Sequence, residues 1–468
     1  MNVKQETSEA VVDGATSNFH LLDIFLGLVV ILLGVLLASR MIPGNARQRI
    51  LSPVAVPEKS PAVSWRRADL SLPLQIDEKL VGLLLPEGEK MEDQRQEHRV
   101  THVQVVDFDK DGVNDVLACD GGGNQVVLFQ HQSGKNWKST ILANRLQVPA
   151  HATIVDIDQD NDNDVIVSLL GDILPSDELV GAVVLLKNEG DSFTQHLLLD
   201  DVRRVADVQP GDLDGDGDLD LAVAVFGYGR GEILWLENLG EQGFQDHLVI
   251  SRPGVIHVPV EDYDGDGDLD LATIVSQDDE EVWVFENNGQ GNFTNHMIYL
   301  THNYDVGGGG LVASDLDQDG DMDFLLSQGD NLEYGHGWPQ PYHGCVWVRN
   351  DGDWNFTAQQ IGALGGTYAT NAGDLDQDGD LDLVMVSMSN DWTDSSHPTI
   401  AWVENDGTNN FTRTWTIDTT PVELITLDVG DIDGDGIPDL VAGRLRVPTT
   451  VAPESKAIAV WLSGEGKP

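Results

Sequence analysis

Seven times this chain returns to the same nine-residue, carboxylate-dense loop, starting at Asp107, Asp156, Asp212, Asp262, Asp315, Asp374 and Asp431. Every copy keeps aspartate at loop positions 1, 3, 5 and 9, and six carry Gly at position 6 where the second has Asn161. The repeated positions are Asp107, Asp109, Asp111 and Asp115; Asp156, Asp158, Asp160 and Asp164; Asp212, Asp214, Asp216 and Asp220; Asp262, Asp264, Asp266 and Asp270. They continue as Asp315, Asp317, Asp319 and Asp323; Asp374, Asp376, Asp378 and Asp382; Asp431, Asp433, Asp435 and Asp439. So many carboxylates in so short a stretch repel one another unless a cation sits among them. Acidic side chains at alternate positions of a tight turn converge on one point, and the carbonyl at position 7 adds another oxygen. That donor set suits a hard ion, and Ca²⁺ is the expected cofactor, up to seven per chain. Gly at position 6 marks a backbone at positive φ, where Asn is the best substitute. The alternative is an acidic turn that holds no metal.

The EF-hand shares the opening of this loop but needs a bidentate Glu at position 12. Here position 12 is Ala118, Val167, Val223, Thr273, Leu326, Met385 and Ala442, so that motif is excluded. Short apolar runs follow each loop instead, as in Leu221–Val225, and read as buried strands.

Loop starts fall 49, 56, 50, 53, 59 and 57 residues apart, which is a repeat architecture. Each unit has one strand entering the Asp loop, one leaving it, and a third ending in a turn such as Trp235-Leu-Glu-Asn238-Leu-Gly240. A fourth opens on an aromatic, as at Phe244 or Phe293. Four antiparallel strands per unit and seven units predict an all-β, seven-bladed β-propeller over residues 98–468. The last unit stops after its third strand, Ala457–Trp461, while Trp65-Arg-Arg-Ala-Asp-Leu70 matches the fourth strand Trp137–Leu142 of the first. Residues 63–71 are therefore expected to complete blade seven, removing an open sheet edge.

Upstream, residues 1–20 form an acidic tail and 21–39 the one long apolar run, read as a transmembrane helix. A cleaved signal peptide is the competing reading, but its basic flank and small-residue cleavage site are lacking. Residues 40–62 form a Pro-rich tether and 72–97 a connecting segment. The side of the membrane is contested. Weak all-Asp sites fill only where Ca²⁺ is abundant, outside the cytoplasm. The positive residues Arg40, Arg47, Arg49 and Lys59 after the span argue the opposite topology. An extracytoplasmic propeller is the expectation.

The formal net charge is −53, and the seven loops hold 33 of the 79 acidic residues. Such a surface argues against nucleic acid as a partner. Two cysteines, Cys119 and Cys345, exclude a disulfide framework.

The Asp loops, the W-x-x-N-x-G turns and the strands that follow resemble FG-GAP/VCBS repeat proteins, relatives of the integrin α-chain propellers. The resemblance implies Ca²⁺ between the first two strands of each blade, bound by the aspartates at positions 1, 3, 5 and 9. The FG-GAP phrase itself is poorly kept: Phe226-Gly227 is present without a following Gly-Ala-Pro. The bacterial VCBS type is the closer match.

The longest insertions fall on the face opposite the Asp loops, where a rigid scaffold displays function. Five residues before the loop starts stand His102, His151, Asp207, His257, Gly310, Ala369 and Thr426. Three histidines in seven equivalent positions, at the start of the innermost strands, predict a ring at the mouth of a central channel. His302, His336 and His343 are further candidates for the rim, as are Arg145, Arg203, Arg204 and Arg444. The functional reading is a pocket for a protein, carbohydrate, carboxylate or transition-metal ligand; the plain one is that these histidines cap the channel. An interaction module tethered to a membrane is the expected function. The alternative is a Ca²⁺-dependent polysaccharide-active enzyme of lyase type using the His-rich channel mouth, with the Tyr334–His343 loop supplying suitable residue types. No nucleophile elbow, P-loop or zinc helix is present, and no catalytic residue is assigned. Trp338 and Trp392, in insertions, are candidates to stack on a sugar.

Overall fold

The computed structural model describes residues 59–60, 63–73, 98–445 and 457–464, except 134–135, 175, 278, 304–305 and 331–338. The apolar run at 21–39 lies outside the described residues. Among those described, no helix is long and apolar enough to cross a membrane.

Seven four-stranded antiparallel sheets form the ring of a β-propeller. In blade one the strands run Val100–Val106, Asp115–Asp120, Gln125–Ser133 and Asn136–Asn144, each hydrogen bonded to the next. Blades two to six repeat this order, with innermost strands Pro149–Val155, Arg204–Gly211, Val260–Glu261, Gly308–Ser314 and Thr367–Gly373. Blade seven is built from both ends of the propeller. Leu424–Gly430, Asp439–Arg444 and Ile458–Leu462 are joined by Arg66–Leu70, which pairs antiparallel with the last of them from Arg66↔Leu462 to Leu70↔Ile458. The Ser64 N–H donates to Gly464 O at 3.1 Å at the same seam.

The second strand of every blade is buried along its whole length, which is why these segments read as continuous apolar runs. Seven apolar clusters fill the gaps between neighbouring sheets, one per gap. Trp235, Trp347, Trp402 and Trp461 of the third strands belong to these clusters and are packing residues. Cys119 and Cys345 are buried and free.

Candidate functional site

The Asp loops close one end of the ring, each between the first and second strand of its blade. Their shape is set by their own side chains. In all seven, the position-1 carboxylate accepts the position-6 N–H, from 2.9 Å at Gly112 to 3.2 Å at Gly379. In all seven, the position-5 carboxylate accepts the position-7 N–H. Position 6 takes positive φ throughout, including Asn161 at 73°.

Position 4 does so as well, which sequence reasoning missed: Lys110, Gln159, Gln318 and Gln377 lie at φ 58–62° and Gly215, Gly265 and Gly434 near 76°. In three of the four non-glycine cases the side chain bonds to the neighbouring loop. Lys110 Nζ donates to Asn161 O, Gln159 Nε2 to Gly217 O and Gln377 Nε2 to Gly436 O, each time reaching position 6 of the next blade's loop.

The position-9 aspartates are buried in every blade. From blade three to blade seven one oxygen accepts the N–H of loop position 2, and from blade two onward the other accepts the N–H ending the third strand, as Asp323 does from Leu316 and Asn350 at 3.2 and 2.7 Å. They knit loop to sheet besides facing the loop centre. Burial, followed by the neighbouring Asp109 and Asp111, raises the Asp115 carboxyl to about 7; burial raises Asp270, Asp323 and Asp382 to about 7.

Three ligand oxygens come within 4.8 Å of one another in the sets Asp107–Asp109–Asp111, Asp262–Asp264–Asp270 and Asp315–Asp317–Asp323, among others. Buried carboxylate oxygens with no hydrogen-bond partner remain at Asp115, Asp164, Asp317, Asp374, Asp376 and Asp433. Converged carboxylates with orphaned oxygens fit a hard cation, which would supply the missing partner.

At the opposite end the inner strands enclose a cavity of about 1210 Å³. His102, His151 and His257 line it together with Asp207, all four from the equivalent position of consecutive blades. The His102 and His151 rings lie 3.8 Å apart at 39°. His151 Nδ1 is 3.2 Å from Asp207 Oδ1, and His257 Nδ1 is 3.7 Å from Oδ2. Gln209 Nε2 and the Val258 N–H also donate to Asp207, both at 3.0 Å. Thr153 Oγ1 spends its proton on Val208 O at 2.9 Å, so its contact with His151 Nδ1 at 3.3 Å makes that nitrogen the donor. His102 Nδ1 accepts the Ala152 N–H at 3.4 Å, which places the proton of its neutral ring on Nε2.

Burial alone would raise the Asp207 carboxyl, but His151 and His257 hold it well below the usual carboxylate range. Burial pushes His102 well below its ordinary value, helped by His151 and His257 and opposed by Asp207. Burial lowers His151 too, with Asp207 pulling the other way. Beside His257, in the next blade, the wall is small and open, made by Gly308, Gly309 and Gly310, with His257 Nε2 3.3 Å from Gly309 O. Deeper in, Asp428 accepts from Val105 N–H, Val429 N–H and Asn371, and burial raises it to about 6.

The other candidates lie elsewhere. His302 is exposed and paired with Asp279 at 2.9 Å, away from the cavity. His343 is buried, its Nδ1 accepting the Gly366 N–H at 2.9 Å. Trp392 is half-buried and outside the cavity wall. His336, Tyr334 and Trp338 lie outside the described residues. Arg204 lines the cavity, its guanidinium 4.9 Å from the Phe226 ring and donating to Asp172 O and Ile173 O. Arg444 is buried against Glu423 at 2.9 Å and Arg203 reaches Glu232 at 3.8 Å. Arg145 lies at positive φ, 63°, in the link between blades one and two and is not among the lining residues. At the cavity wall, Leu174 and Tyr228 are exposed large side chains that the sequence did not single out.

A family model described as FG-GAP-like repeat matches residues 107–167, 212–273 and 262–326. Each match begins on one Asp loop, crosses the next and ends in the strand beyond it, in a chain that closes into seven blades. The chain is a seven-bladed β-propeller that carries FG-GAP-like repeats. Among solved structures, the FG-GAP propeller is similar to BBS1N in complex with ARL6DN, in crystals soaked with mercury or lead. The identity is 10%, the TM-scores are 0.45 and 0.46, and the alignments cover 78% of this chain and 91% and 92% of that one. The Dos1 propeller aligns at 8% identity and TM-score 0.40, over 61% of this chain and 65% of its own. No curated protein matches the chain.

Proposed function

We propose that this FG-GAP propeller is a Ca²⁺-loaded interaction module, tethered to a membrane through residues 21–39, with its ring outside the cytoplasm. Its protein or glycan ligand binds at the end of the ring away from the Asp loops. The observation that carries this reading is the convergence of His151 and His257 on Asp207, with His102 packed on His151, in a cavity of about 1210 Å³. A concave, half-apolar pocket with a few convergent polar groups is the usual form of a ligand site. The exposed Leu174 and Tyr228 extend it outward with apolar surface of the kind that marks contact sites. The Asp loops, facing the other way, take the cation and rigidify the scaffold. The long apolar run supports the tether, and the demand of weak all-Asp sites for abundant Ca²⁺ supports the sidedness. Protease treatment of intact cells reports that side directly.

The test compares the full chain with a variant carrying His102→Gln, His257→Gln and Tyr228→Ser, on a glycan array and by proximity labelling at the cell surface. Ligands of the unmodified chain should be lost by the variant while its melting temperature stays close to the parent's. Ligands that survive these changes but are lost on substituting Lys110 and Asn161, at the Asp-loop end, would show the reading to be wrong.

A further inference from the structure

The seven Asp loops repeat one another closely, but the side chain facing them from the third strand does not. Loop position 10 pairs with Phe129, Leu186, Leu236, Phe285, Val348, Val403 and Trp461 in successive blades. The residue after each of these stands beside the loop's position-3 aspartate, and its charge varies from blade to blade. In blades three, four and six it is Glu237, Glu286 or Glu404. In blade one it is Gln130, whose Nε2 donates to Asp109 Oδ2 at 2.7 Å. In blade two it is Lys187, whose Nζ is ion-paired with Asp158 Oδ2. In blade five it is Arg349, a fixed positive charge whose guanidinium is held at 2.7 Å on Asp351. Blade seven has Leu462 there, but Arg66, its partner across the ladder, reaches Asp433 Oδ2 at 3.5 Å.

We propose that this single register position grades the seven loops for Ca²⁺: blades three, four and six fill first, blade one next, and blades two, five and seven last. The proposal rests on the reading that the loops take Ca²⁺. A tethered ammonium or guanidinium on a ligand carboxylate is a built-in competitor that the ion must displace. A glutamate at the same place adds a negative charge, and the charge count around a calcium loop is a main determinant of its affinity. Glu237 and Glu286 each give only Oε2 to a partner, His247 and His296, both at 2.7 Å. Glu404 is engaged by Trp415 at 2.8 Å and by the exposed Arg413 at 3.3 Å. Its loop nevertheless carries two orphaned buried oxygens, on Asp374 and Asp376. A negative charge added at this position should tighten its loop for Ca²⁺, and a positive one should weaken it.

The full chain, stripped of metal and stepped through buffered free Ca²⁺, should take up ions in classes when counted by native mass spectrometry, three of them at the lowest concentrations. Lys187→Glu should raise that early class to four, and Glu286→Gln should lower it to two. The lysine and the glutamate lie at the sheet surface, so both variants should keep the parent's circular dichroism. A single uniform class of sites, or early counts that neither substitution moves, would overturn the grading while leaving calcium binding intact. Uptake of no ion at millimolar Ca²⁺ would instead overturn the calcium reading, and the grading with it.

Discussion

At the scale of single residues, identical carboxylates in this chain do different work because their surroundings differ. A position-1 aspartate folds its own loop, and a position-9 aspartate is buried and ties loop to sheet. Asp207 is ionised in the interior because two imidazoles face it. His102 shows the consequence for stability. Its folded-state value lies well below the ordinary one of about 6.5, mainly through burial, so the folded ring stays neutral where the unfolded one takes a proton. Between the two values the unfolded chain binds more protons, and stability must fall as the pH falls below about 6.5, by up to about 1.4 kcal/mol per pH unit. His102→Gln should remove that contribution, so urea unfolding at about pH 7.5 and about pH 5.5 should show a shallower loss in the variant than in the parent. Equal losses would mean that His102 protonates freely in the fold. The spacing of His102, His151 and His257 was legible in the sequence because one register position recurs in every blade. The tautomers and the roles of Thr153 and Val258 were not, since they depend on which backbone groups a neighbouring blade presents.

At the scale of elements, strand order was legible because each blade repeats the same period and the second strand reads as a continuous apolar run. Blade seven was legible for a related reason: Trp65–Leu70 carries the pattern of a fourth strand but has no blade of its own upstream. What pattern could not give was the inward path of the insertions, as with His343. It stands on a polar stretch yet is buried beneath the Gly366 N–H, because the chain folds back there. The closing strand makes a sharp test of the fold. Leu70 and Leu72 are buried in the cluster between blades seven and one, beside Val100, Val441 and Val460. Leu70→Ala leaves a cavity where both ends of the propeller meet, and such truncations cost about 2–5 kcal/mol. The urea midpoint should fall accordingly. A midpoint within error of the parent's would mean that the seam contributes nothing to closure.

At the scale of the whole molecule, the distribution of charge decides the behaviour. A formal net charge of −53 would repel a compact ring strongly, and 33 of the acidic residues are concentrated in loops at one end. If the loops take Ca²⁺ as proposed, the ion is a condition of stability as well as a ligand. A site saturated at about 100 times its dissociation constant contributes about 2.7 kcal/mol, so the three strongest loops together shift the melt by roughly 10 °C. Stripping the protein with a chelator should lower its melting temperature by that amount. The screening length falls from about 10 Å in 0.1 M salt to about 3 Å in 1 M. Sodium chloride should therefore recover part of the lost stability in the stripped protein, where bare carboxylates repel, and change the loaded protein little. Differential scanning fluorimetry across both conditions separates the two contributions. A melt indifferent to the chelator would remove the cation from the account. A chelated protein equally indifferent to salt would show that the loops are held by their own backbone hydrogen bonds, with Asp107, Asp212 and their counterparts sufficient to keep the carboxylates in place.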